Sequence, residues 1–186
     1  IPFERKAETA PVFAEMQEGI RYATKERFLG KLIMLFGLFI FLCVPAGFLA
    51  TLFVSRYYGD TYFHMTLVEV IGFLGMMAGG LLISTWGGFK RHTKTLLVGM
   101  ISFGLLAILM GLVKNFYVYL MMMAVYGVAL TMVQTASTTL LQENSTEEMS
   151  GRVFGLFGAA YSSFLPIGMV VFGLLADRIS MRLLMV

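Results

Sequence analysis

The sequence predicts an all-α membrane protein, with five transmembrane helices preceded by an amphipathic helix lying along the membrane surface. Three observations carry this reading. Of 186 residues, 58% are hydrophobic and 13% charged, where a soluble domain carries about 25% charged residues. The apolar residues gather into five runs, at 32–54, 65–86, 95–113, 116–141 and 153–176. Each is long enough to cross a hydrocarbon layer about 30 Å thick as a helix rising about 1.5 Å per residue. None of the five contains Lys, Arg or Asp, and Glu69 is their single acidic residue. Barrel strands would alternate over about ten residues, whereas these runs are continuously apolar.

Residues 1–31 form a first unit. Glu4, Arg5, Lys6 and Glu8 occur without apolar periodicity and read as linker. Over 11–28, Phe13, Met16, Ile20 and Ala23 recur at helical spacing, with Glu15, Glu18, Arg21 and Lys25 toward the other side. That pattern fits a helix on the bilayer surface, and equally a solvated helix joining two bundles. Residues 32–186 form the second unit, the bundle of spans, with a further helix opening near 177 and cut short. The chain begins at Ile1, and its first 31 residues are too charged for a signal peptide; it reads as a piece of a longer protein.

Basic residues set the orientation, because short cytoplasmic loops retain Lys and Arg. Six precede the first span (Arg5, Lys6, Arg21, Lys25, Arg27, Lys31), Arg56 follows it, Lys90, Arg91 and Lys94 follow the second, and Lys114 follows the third. The N-terminal segment and the loop at 87–94 are therefore expected in the cytoplasm. Arg152, Arg178 and Arg182 add little to that assignment.

The net charge of +3 points to no nucleic acid, since the cations are scattered through breaks between apolar runs rather than massed on one water-facing surface. Cys43 is the single cysteine, so neither a disulfide nor a cysteine-based metal site is expected within one chain. His64 and His92 show no metal-ligand spacing. No nucleophile, base and orienting group stand together, and no glycine-rich phosphate loop occurs. Neither an enzyme nor a cofactor is expected.

Several signals lie inside the spans. Pro45 and Pro166 each remove a backbone donor, predicting a kink or local break. Gly75 and Gly79, Gly155 and Ala159 with Ser162 or Ser163, and Gly104 with Gly111 offer small-residue faces for close helix packing. Thr131, Gln134, Thr135 and Thr138 fall on one helix face, suited either to a solute cavity or to interhelical hydrogen bonds. Glu69 is an intramembrane carboxylate, a functional position by default, though its place near the start of the second span also suits an interfacial role. Glu143, Glu147 and Glu148 with Asn144, Ser145 and Thr146 read as a solvated loop, where Ser145 or Thr146 can cap a helix.

A short echo links Gly80-Leu81-Leu82-Ile83-Ser84 at the end of the second span to Gly173-Leu174-Leu175-Ala176-Asp177 at the end of the fifth. Three-span repeats nested in a six-span half characterise one large transporter class. The segment Phe13-Ala14-Glu15-Met16-Gln17-Glu18-Gly19-Ile20-Arg21-Tyr22, the basic loop after the second span and Ser150-Gly151-Arg152-Val153-Phe154 together resemble the C-terminal half of the major facilitator superfamily. The likeness is to permeases of the macrolide and siderophore exporter type, and it covers nearly the whole chain. Its loop motif, Gly-x-x-x-Asp-Arg-x-Gly followed by basic residues, is matched in part by Gly80, Gly87, Lys90 and Arg91, with Ser84 and Thr85 in place of Asp and Arg.

The resemblance implies helices seven to eleven of twelve in a bacterial cytoplasmic membrane, partnered by the N-terminal half of the same transporter. It implies efflux of a small amphipathic solute, coupled to protons and achieved by rocking two bundles. Spans one, two, four and five would border the cavity and span three would face lipid. Gln134, Thr138 and Thr131 are then the cavity candidates and Glu69 the proton-coupling candidate. A non-transporting membrane subunit, or the permease of another transporter class, is the alternative reading.

Overall fold

The computed structural model describes residues 20–22, 25–59 and 62–185. Among the described residues the delimited helices are α1 (Arg27–Cys43), α2 (Ala50–Tyr57), α3 (Tyr62–Trp86), α4 (His92–Leu112), α5 (Phe116–Glu143), α6 (Glu147–Ala176) and α7 (Met181–Met185), with no strand. The linker and most of the expected surface helix lie outside these residues.

Helices α3 to α6 are each long and apolar enough to cross a membrane, and they match predicted spans two to five with ends shifted by a few residues. The first span is not one helix. It is divided into α1 and α2 by a turn over 44–49, where Pro45 lacks a donor. Without water, the groups freed by such a break must find partners within the protein. The Gly47 amide donates to the Cys43 carbonyl at 2.9 Å and the Leu49 amide to the Val44 carbonyl at 2.9 Å. Tyr126 of α5 reaches the same Cys43 carbonyl at 3.5 Å. At Pro166 the expectation of a break is not met, because α6 runs through it uninterrupted. The last helix starts at Met181 rather than near 177, after a turn at the end of α6.

Helix packing follows the small residues. Span one lies along span five, and span two along span four, while span three also packs on span four and meets α7. Adding three to each span number exchanges the first two pairings, so the contacts carry the symmetry that the short sequence echo suggests. Between spans two and four the backbones nearly touch. A Cβ at Gly75 would run into the Ala124 carbonyl, and one at Gly127 would lie 2.5 Å from the Gly72 oxygen. Spans one and five join through aromatic rings: Phe36 stacks on Phe157 at 4.1 Å, and Phe41 meets Phe172 at 5.0 Å. Gly155 and Gly104 face open space instead, while Gly111 lies against Met185.

Both ends of the bundle are tied. At one, Arg56 donates to the Ala176 carbonyl and to Asp177 Oδ1 at 3.0 Å, and the Tyr58 hydroxyl donates to the Val113 carbonyl at 2.7 Å. At the other, His92 Nε2 and Glu143 Oε1 are 3.2 Å apart. Asn115 caps α5, its Oδ1 accepting from the Tyr117 amide at 2.9 Å. Thr146 takes the cap position of α6 without a hydroxyl bond, and Ser145 donates back to the Leu141 carbonyl at 2.6 Å.

Candidate functional site

Along α1, spans one and five form one packed unit that touches span four only lightly, spans two, three and four form another, and α2 joins the two by packing on span two and stacking Phe53 on Tyr119 at 5.5 Å. A cavity of about 490 Å³ opens along that seam. Span one contributes Phe36, span four Gln134, Thr135 and Thr138, and span five Phe157, Gly158, Tyr161 and Ser162. Three of the four polar residues of the α5 stripe, Gln134, Thr135 and Thr138, are thus turned toward a gap, while the opposite face, with Val133, Ala136 and Ser137, is buried in the bundle.

Hydrogen bonding separates the members of the stripe. Thr131 donates to the Met76 carbonyl at 3.2 Å or the Gly127 carbonyl at 3.1 Å; it fastens span four to span two and is not among the residues lining the cavity. Thr138 directs its hydroxyl to its own helix, at the Gln134 and Thr135 carbonyls, which leaves its oxygen as an acceptor. The Gln134 carboxamide has no partner among the described residues, so its two donors and its acceptor are all available. The stacked pair of Phe36 and Phe157 forms an apolar wall beside these groups. No lining residue carries a charge. Such a surface suits a solute that combines hydroxyl or carbonyl groups with apolar faces.

Tyr161, Ser162, Phe157 and Gly158 were not singled out as cavity residues by sequence. Their signal was the helical spacing itself, 157 with 161 and 158 with 162, which lays rings and small or polar groups side by side on α6. Span two, expected at the cavity, contributes none of its lining. A second cavity, about 440 Å³ and almost entirely apolar, lies between spans one and three, with Phe172 and the end of α7; Pro45 and Gly104 line it.

Glu69 is exposed about two turns into α3, one turn before buried Gly72, and has no ion-pair partner among the described residues. Gly80 also faces open space, and Gly87 adopts a left-handed backbone with φ of 73°. Lys90 and Arg91 are exposed in the loop that follows.

Comparison with known proteins agrees with this architecture. The family model of the Major Facilitator Superfamily matches residues 2–169. The chain belongs to that superfamily. Within it, the chain is 29% identical over 170 residues to a protein of Streptococcus pyogenes named macrolide efflux protein A. It is 28% identical over 157 residues to a protein of the same name from Enterococcus faecalis. These alignments cover 90% and 83% of this chain but 42% and 49% of the relatives, so the chain spans less than half the length of either. No solved structure matches it. Superfamily membership and four continuous apolar helices make this an integral membrane protein.

Proposed function

We propose that this chain supplies one half of a secondary transporter that exports an amphipathic small molecule by alternating access, with the N-terminal segment and the 87–94 loop in the cytoplasm. The observation that carries the reading is the seam cavity, where an unpartnered carboxamide and hydroxyl groups stand beside stacked rings on three different spans. Packed membrane bundles turn polar side chains toward one another; a polar stripe facing a gap is the wall of a solute path. Efflux, rather than uptake, is supported by the two relatives named for macrolide efflux. Gln134 is assigned the principal hydrogen-bonding role, Thr138 and Tyr161 supporting ones, and Phe36 with Phe157 the apolar face. Glu69 is assigned proton coupling, as the one carboxylate placed within the long helices away from their ends.

The test is solute flux in proteoliposomes made with the full-length protein. Gln134→Ala is expected to lower macrolide flux about tenfold, because a solute group left unpaired in a dry cavity costs about 1–3 kcal/mol. Unchanged flux in both Gln134→Ala and Tyr161→Phe would remove the seam cavity from the solute path.

A further inference from the structure

The loop joining α3 to α4 and the first turn of α4 carry Lys90, Arg91 and Lys94, all exposed, within five residues of one another. Local geometry holds this loop in one shape. Gly87 and Gly88 take consecutive left-handed conformations, φ 73° and 74°, which L side chains rarely adopt. Buried Thr95 then accepts the Phe89 amide at 3.0 Å and lies against Gly88. Trp86 meets Phe89 edge to face at 4.7 Å, yet remains 56% exposed.

None of the three cations is neutralised among the described residues. The polar side chains that end α3 point the wrong way: Ser84 donates to the Leu81 carbonyl at 2.9 Å, and Thr85 to the Leu81 or Leu82 carbonyl at 2.9 or 3.0 Å. The carboxylate beside the loop, Glu143, is engaged with His92. Directly adjoining the loop, Leu81 and Leu82 of α3 and Leu97, Val98 and Ile101 of α4 expose apolar side chains. Three cations without an ion-pair partner among the described residues, an exposed indole and a lipid-suited apolar flank therefore meet near one end of the bundle.

We propose that this loop is a binding surface for anionic phospholipid, whose phosphate sits among Lys90, Arg91 and Lys94 while its chains run along α3 and α4. Charge complementarity selects the headgroup: juxtamembrane cations attract an anionic bilayer surface, at about fivefold in affinity for each cation. Trp is the side chain that settles at this depth, with its ring in the interface and its N–H toward water. The assignment is independent of which solute is carried.

Trp86 is the single tryptophan of the chain, which makes it the reporter. The full-length protein is placed in nanodiscs containing brominated phosphatidylglycerol or brominated phosphatidylcholine at equal mole fraction. Quenching is read as the difference between the protein and its Trp86→Phe variant. Brominated phosphatidylglycerol is expected to quench Trp86 several-fold more strongly. That preference should disappear when Lys90, Arg91 and Lys94 are all replaced by Gln, and persist in Lys114→Gln, which alters a loop at the opposite end. Native mass spectrometry of the same variants gives a second reading of retained phosphatidylglycerol, limited to species that stay folded. Equal quenching by the two lipids, or a preference surviving in the triple variant, overturns the proposal. So does abolition of the preference by inorganic phosphate alone, which would make the loop a site for free phosphate.

Discussion

Among single residues, similar side chains on one helix do different work, and their bonding partners decide which. Thr131 and Thr138 are seven residues apart on α5, yet the first spans the gap to Met76 while the second bonds only within its own helix. Thr131→Val should therefore lower stability, by about 0.6 kcal/mol and no more than about 1.7 kcal/mol, the range found for hydrogen bonds between membrane helices. Reversible unfolding in mixed micelles measures this, and flux per folded molecule should stay unchanged. Thr138→Val, losing an acceptor at the cavity, should reduce flux at nearly constant stability. The stripe at 131, 134, 135 and 138 was legible from spacing. Its division into glue and cavity wall was not, because spacing places Thr131 on a face without saying what stands opposite.

At the level of elements, the two prolines show how packing overrides local signal. Pro45 and Pro166 are each followed two residues later by glycine, at Gly47 and Gly168, so local sequence gives no ground for breaking one helix and sparing the other. Gly168 is pressed against span one, where a Cβ would lie 2.7 Å from Val44 Cγ2, and α6 continues as a helix through this contact. Gly47 faces Tyr126, whose hydroxyl accompanies the Gly47 amide onto the Cys43 carbonyl. Pro45→Ala restores one donor and should raise hydrogen-exchange protection over residues 45–49, as followed by mass spectrometry; unaltered exchange there would show that proline is not what opens the turn. Gly47→Val is expected to be destabilising, by about 1–3 kcal/mol for an overpacked site, since its Cβ would fall 3.1 Å from both the Cys43 carbonyl and the Tyr126 hydroxyl. A lower midpoint of thermal unfolding in detergent is the readout.

For the whole molecule, the consequence of the pairings is a seam. Spans one and five close on each other through rings, spans two and four through glycines, and the cavity lies where these units diverge. Within the proposed mechanism, Glu69 belongs to coupling rather than to solute binding, being absent from the cavity lining. Glu69→Gln should abolish proton-driven accumulation while leaving solute exchange at equilibrium largely intact; loss of both activities together would remove it from the coupling role. Sequence by itself determined that this chain is helical and crosses a bilayer, because runs of some twenty apolar residues with a single carboxylate among them have no stable place in water, and without strand alternation a helix is what satisfies their backbone in lipid. It also marked the close helix approach at Gly75 and Gly79, where the absence of a side chain is itself the signal. Only the tertiary structure decided which polar residues face a cavity, which proline breaks its helix, and that the loop cations have no carboxylate partner among the described residues. Each of those depends on what stands across the gap from a residue, and that is set by distant segments of the chain.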